Sequence, residues 1–355
     1  MTCILHIGGH KTGTTSVQSF LNGYRDDCFF YADFFKTRGN HSYPLWLLFS
    51  SRLRIPFHGH PPLFEKLANL ALQAIYSVQF TQNLRRAGRR QLILSGEGMT
   101  NLDTAELTRL RDRLRKRFSD IRVIGYARPA AGLIPSLCQQ ALKFRGDTDD
   151  IDGVLAGRPN YSYRAEFADF YEVFGEASVD ISMFDRNLLC EGCVVSDFCS
   201  KLGIPVADKR VAVENETLPF ELIQLLYIFH RRRSQGGRDG LSGGDFRRLH
   251  ARLYGIVDPT LRLSFSEEVY RRLFASMADD LAWAETRFDA CLSAINPPDN
   301  ESGTVSTPDD LRVLSDSLFD RLVAIAPSGL RAAGLSNSEA NACRILEALL
   351  ARSYD

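Results

Sequence analysis

The sequence predicts an α/β protein built on a doubly wound parallel sheet with flanking helices. Three observations point there. Four short apolar-rich runs, residues 4–7, 92–94, 123–126 and 179–184, look like buried parallel strands. Stretches with helical periodicity separate them, which is the signature of βαβ units. Finally, 45% of the 355 residues are hydrophobic and 10% aromatic, enough for one large core.

The first run leads into Gly8-Gly-His-Lys-Thr-Gly13 and then a helical pattern over residues 15–21. A glycine-rich turn between strand and helix aims backbone N–H groups at one point. The helix start adds partial positive charge, so phosphate or sulfate is the expected ligand. Lys11 supplies a mobile cation, Gly13 a close backbone approach, and Thr14 and Thr15 hydroxyls and a helix cap. The order differs from the Walker A pattern, in which Lys stands directly before the Ser or Thr that opens the helix. Here Lys11 precedes Gly13, and two threonines follow.

Between residues 28 and 65 ten aromatics crowd into a stretch without regular periodicity, including Phe29, Phe30, Tyr31, Phe34, Tyr43 and Trp46. Such a segment fills core, lines a neighbouring pocket, or does both. Its loop 39–43 carries His41. The second run ends in Ser95-Gly-Glu97, and Asp103 with Glu106 forms a capping box for a helix over 104–118. The third run reaches Arg128, and the helical pattern after it carries Ser136. Helices are also predicted over 161–174 and 187–202, the latter stopped by Gly203 and Pro205. Residues 231–244, rich in Arg and Gly, read as an exposed loop, and 296–308 as a linker. Two amphipathic helices, 309–326 and 337–352, follow. The predicted organisation is a domain over 1–295, the linker, and a helical appendix over 309–355.

The sequence also excludes several classes. Lys plus Arg and Asp plus Glu both total 43, so no global field attracts nucleic acid. The start lacks a leader pattern and no run approaches the length of a membrane span, which predicts a cytoplasmic chain without an integral membrane segment. The eight cysteines are scattered and read as reduced thiols. Cys190 and Cys193 form a lone CxxC, His58 and His60 an HxH pair, and neither has the further ligands of a metal site.

The segment Lys11-Thr-Gly-Thr-Thr15, followed by a helix with Gln18 and Leu21, resembles the 5′-phosphosulfate loop of bacterial-type sulfotransferases. These depend on 3′-phosphoadenosine 5′-phosphosulfate (PAPS) and share a P-loop-like fold. Arg128 at a strand end with Ser136 eight residues on resembles that family's pair for the nucleotide 3′-phosphate. Ser95-Gly-Glu97, Phe184-Asp-Arg186 and Asn215-Glu-Thr-Leu are similar to its later segments, so the resemblance covers residues 1 to about 230. It implies sulfuryl transfer from PAPS to an acceptor hydroxyl or amine, with a saccharide the expected acceptor and no metal required. Lys11, Thr12, Gly13, Thr14, Thr15, Arg128 and Ser136 would bind the donor. Lys11 would act in catalysis, with Glu97 or His41 as base: Glu97 by its place at a strand end, His41 by its ordinary pKa. His6 reads as core and His10 as a ligand contact. A P-loop kinase or nucleotide-binding protein acting on a small molecule is the main alternative, and a non-catalytic nucleotide sensor the other.

Overall fold

The computed structural model describes residues 1–51, 61–144, 146, 148–206, 217–236, 241, 243–295 and 302–351. His58, His60 and Phe57, parts of the predicted loop and linker, and the start of the Asn215 segment lie outside these residues. The chain divides into two compact units. The first comprises Met1–Pro129, Ser162–Glu214 and Asp279–Leu292; the second comprises Ala130–Tyr161, Asn215–Ala278 and Ser293–Asp355.

In chain order the first unit begins with β1 (Thr2–Gly8), α1 (Thr14–Leu21), β2 (Phe29–Tyr31), α2 (Ser42–Phe49), α3 (Pro62–Ala87), β3 (Gln91–Ser95), α4 (Thr104–Arg115) and β4 (Asp120–Ala127). The chain then enters the second unit with α5 (Ala130–Phe144) and α6 (Asp149–Leu155). It returns to the first with α7 (Tyr163–Phe174), β5 (Val179–Met183) and α8 (Val194–Leu202). The second unit continues with α9 (Phe220–Gln235), α10 (Gly243–Leu253), β6 (Arg262–Phe265) and α11 (Glu267–Ser276). Nearly all of α12 (Ala278–Phe288) belongs to the first unit. The second unit closes with β7 (Ser302–Val305), α13 (Asp309–Arg312), α14 (Asp316–Ile325), α15 (Ser328–Arg331) and α16 (Glu339–Ala351).

The five strands of the first unit form one sheet in the order β2-β3-β1-β4-β5, and every neighbouring pair is parallel. This is the doubly wound α/β architecture the apolar runs predict. From central β1 the chain builds one wing through β2 and β3 and the other through β4 and β5. The loops after β1, β3 and β4 therefore open together at the carboxyl edge, where such sheets bind ligands. Cys3, Ile4, Leu5 and Ile7 of β1 are wholly buried, as are Leu92, Ile93 and Leu94 of β3. The predicted capping box holds: Asp103 accepts from the Glu106 amide at 2.9 Å, and the Glu106 carboxylate accepts from the Asp103 amide at 3.2 Å.

Several sequence expectations need correction. The helix expected from residue 187 begins at Val194, after a turn at Cys190–Gly192. Arg231, Arg232 and Arg233 belong to the last turns of α9 and not to a loop. The described end of the predicted linker contains β7, which pairs in parallel with β6 from Arg262↔Ser302 to Phe265↔Val305. The predicted helix over 309–326 is two helices, α13 and α14. The carboxyl-terminal helices belong to the second unit's core, where the Gln224 side chain of α9 donates to the Asp310 carbonyl at 2.9 Å. The second unit's last segment, Ser293–Asp355, runs across residue 295.

Candidate functional site

β1 ends at Gly8, whose φ of +64° turns the chain sharply. A Cβ on Gly8 would lie 2.2 Å from the Thr14 hydroxyl oxygen, and one on Gly9 would lie 1.9 Å from the Tyr126 carbonyl oxygen of β4. The loop thus rests directly on the neighbouring strand and admits no side chain at either position. Lys11 has a φ of +61°, the left-handed region that costs a non-glycine residue of order 1–3 kcal/mol. Gly13, at φ +74°, is the N-cap of α1 and offers no side-chain cap. Its carbonyl accepts from the amides of Ser16 at 3.0 Å and Val17 at 3.3 Å. The amides of Thr14 and Thr15 precede these first bonds of α1 and face the loop side of the helix.

The loop's side chains divide by role. The Thr12 hydroxyl donates to the Gly9 carbonyl at 2.8 Å and is buried, so it clamps the loop, leaving only the Thr12 backbone for an anion. Thr14 is 4% exposed, and its hydroxyl has no hydrogen-bond partner among the described residues. A buried hydroxyl left unsatisfied beside helix-opening amides fits an anion's oxygen atoms. Lys11 is half-buried and Thr15 exposed.

Two further predicted residues share this sheet edge. Arg128 follows the last residue of β4, the strand paired with β1, and is half-buried. The Tyr163 hydroxyl, on α7, donates to the Arg128 carbonyl at 2.6 Å and anchors this strand end. Glu97 is exposed and opens a short 3₁₀ turn, Glu97–Asn101, after β3, the other neighbour of β1. Ser136 lies half-buried on α5, in the second unit.

His10, noted in the sequence only as a ligand contact, has a partner no local motif announces. Its Nδ1 lies 2.9 Å from Glu166 Oε1, and its backbone amide donates to the same oxygen at 3.2 Å. The hydrogen bond to Glu166 raises the imidazole pKa, with further support from the charges of Glu166 and Glu97. Partial burial and Lys11 oppose it. Glu166 stands on the first turn of α7, 156 residues from His10, so only the fold reveals the pair.

His41 departs from expectation. It is not in an open loop but fully buried, at the N-cap position of α2. Its Nδ1 accepts from the Ser95 amide at 3.0 Å, and its ring packs 4.8 Å from Tyr31 and 5.2 Å from Phe34. Burial lowers its pKa to about 3, against a smaller raising effect of the Ala32 backbone. A neutral ring enclosed by aromatics cannot reach an acceptor, which withdraws His41 as base. His6 is core as expected: buried, 2.8 Å from the Ser95 hydroxyl, with its pKa also lowered to about 3 by burial.

The likenesses to known proteins are remote. No family model matches the chain. A stretch of 121 residues is 28% identical to a protein of Archaeoglobus fulgidus described only as uncharacterized. That stretch covers 34% of this chain and 32% of the relative, so the chain spans about a third of the relative's length. Among solved structures, the chain is similar to a sulfotransferase from Alicyclobacillus acidocaldarius. They share 16% identity over 69% of this chain and 98% of that one, with a TM-score of 0.35, too loose a likeness to bear on activity.

No helix among the described residues is long and apolar enough to cross a membrane. Cys190 and Cys193 occupy the turn before α8.

Proposed function

We propose that this chain is a sulfotransferase that moves a sulfuryl group from PAPS to an acceptor hydroxyl or amine, with a saccharide as the favoured acceptor. One observation carries the reading. The loop over residues 9–15, Arg128 and Glu97 stand at the carboxyl ends of three adjacent strands, β1, β4 and β3. A glycine-rich loop, an arginine and an exposed glutamate at one sheet edge support an anion site with a base beside it.

The roles follow from charge and position. The amides of Gly13, Thr14 and Thr15 and the unsatisfied Thr14 hydroxyl would hold the 5′-phosphosulfate. Lys11 would neutralise charge that develops on the bridging oxygen as the sulfur–oxygen bond to the phosphate breaks. Arg128 offers a planar fork of donors for the 3′-phosphate, and Ser136 joins it in this proposal on sequence spacing alone. Glu97 would take the acceptor's proton as its oxygen or nitrogen bonds to sulfur, with adenosine 3′,5′-bisphosphate leaving.

The test is transfer of label from sulfur-labelled PAPS into acceptors, screened across polysaccharide, lipid and small-molecule fractions. Label in a saccharide fraction, matched by release of adenosine 3′,5′-bisphosphate, is the expected result. Label in no fraction, alongside transfer of a terminal phosphate from ATP, would establish a kinase instead.

A further inference from the structure

The His10–Glu166 pair carries chemistry that none of the roles above uses. His10 sits between Gly9 and Lys11 at the tip of the anion loop, and its side chain remains 48% exposed, while the Glu166 side chain is 5% exposed. Glu166 is fixed from behind. The Asp280 carboxylate of α12 accepts from the amides of Tyr163 at 2.9 Å and Arg164 at 2.8 Å, and from the Ser162 hydroxyl at 2.8 Å. This pins the start of α7 and with it the first turn that carries Glu166. One carboxylate oxygen then receives both the His10 amide and Nδ1, so the backbone and the ring of His10 are oriented together. With Nδ1 at Glu166 and the side chain half exposed, a ligand at the loop would be met by Nε2.

We propose that His10 is a second cationic contact for the transferring group, donating from Nε2 to the oxyanion beside Lys11, and that Glu166 is its positioning residue. This rests on the anion-site reading of the loop, which the buried, unpartnered Thr14 hydroxyl supports independently. No covalent step is assigned to His10; it contributes a charged hydrogen bond and a fixed proton. Among the described residues, the charged groups that act on it include Glu166 from α7, Glu97 from the turn after β3, and Lys11 beside it on the loop. The two carboxylates favour imidazolium, Lys11 disfavours it, and a bound sulfate or phosphate adds negative charge on the ligand side. Turnover then requires protonated His10 and falls as pH rises through its pKa.

The experiment follows the His10 imidazole by NMR titration of the full chain, with its resonances assigned through His10→Gln. Inorganic sulfate and adenosine 3′,5′-bisphosphate are the probes. Both are expected to raise the His10 pKa, Glu166→Gln to lower it, and His10→Gln to lose about 10- to 100-fold in turnover together with the basic limb of the pH–rate profile. If the bisphosphate binds and leaves the His10 titration unchanged, the proposal fails and the sulfotransferase reading stands. If sulfate shifts His10 but the bisphosphate does not bind, the anion contact holds and the nucleotide reading fails. If neither probe shifts it, the proposal is overturned. A Glu166→Gln protein with an unaltered His10 pKa overturns the positioning role.

Discussion

Histidine behaves in opposite ways at two places along the same sheet. His6 and His41 meet at Ser95, enclosed by apolar and aromatic side chains, and burial holds both neutral with pKa values near 3. His10, four residues beyond His6, stands half exposed at the loop with Glu166 against it, and its pKa is raised. Residue type is constant; the surroundings decide whether the ring is structural packing or a charge carrier. A sequence offers the residue type alone, so His41 stands there beside Glu97 as a candidate base on its ordinary pKa.

Four predictions bear on this contrast, beginning with the largest effect. Glu97→Gln should lower turnover of PAPS by about 10²–10⁴-fold and remove the acidic limb of the pH–rate profile, because a base acts only when deprotonated. His41→Ala, measured alongside, should keep turnover per folded molecule within a few-fold. A loss at His41 as large as that at Glu97 would break the distinction between the two regions. Next, Lys11→Ala should cost about 10²–10³-fold in turnover with little change in bisphosphate affinity, since its charge is needed mainly in the transition state. Turnover that survives intact would remove the loop from the chemistry.

Third, Arg128→Ala should weaken adenosine 3′,5′-bisphosphate by about 1.5–3 kcal/mol in calorimetry while adenosine 5′-phosphate is little affected. Equal losses would deny Arg128 its 3′-phosphate role. Last comes acid stability, where the two regions differ in sign. Unfolded histidine titrates near 6.5, above the folded values of His6 and His41, so the unfolded chain binds the extra protons. Their contribution to stability is therefore complete above pH 6.5 and falls below it, by about 1.4 kcal/mol per pH unit for each ring, toward pH 3. His10, with its folded pKa raised, contributes below pH 6.5 and loses that contribution as pH rises through the folded pKa. Chemical denaturation between pH 4 and 7 should show the acid slope diminished by about one proton in His41→Leu and undiminished in His10→Gln.

The sheet was legible where short apolar-rich runs alternate with helical patterns, most plainly in β3, where Leu92, Ile93 and Leu94 are wholly buried, and more faintly in β5, whose Asp180 and Ser182 interrupt the run. β2 was hidden because Phe29, Phe30 and Tyr31 belong to an aromatic-rich stretch, and only pairing with β3 makes them a strand. β7 lies in a polar segment and gains its identity from β6, about 40 residues away. α3 was not read from the sequence, although Leu63, Leu67, Leu70 and Val78 recur at helical spacing; in the structure all four are exposed, a stripe that faces solvent and not the core. At the site, the loop and Arg128 were readable because strand, turn and helix follow one another locally. Glu166 was not, since a carboxylate brought in by α7 leaves no spacing rule near His10. The enclosure of His41 was equally hidden, for it comes from Tyr31, Phe34 and Ser95 folding around one ring.

The most direct measurement is thermal unfolding of the full chain with adenosine 3′,5′-bisphosphate, with ATP, and with ATP plus magnesium, at matched concentrations. A ligand that binds only the folded state at about 100 times its Kd stabilises it by about 2.7 kcal/mol, readily seen as a rise in Tm. The account predicts that rise with the bisphosphate and little or none with ATP, whether or not magnesium is present. Stabilisation by ATP with magnesium and none by the bisphosphate would contradict it.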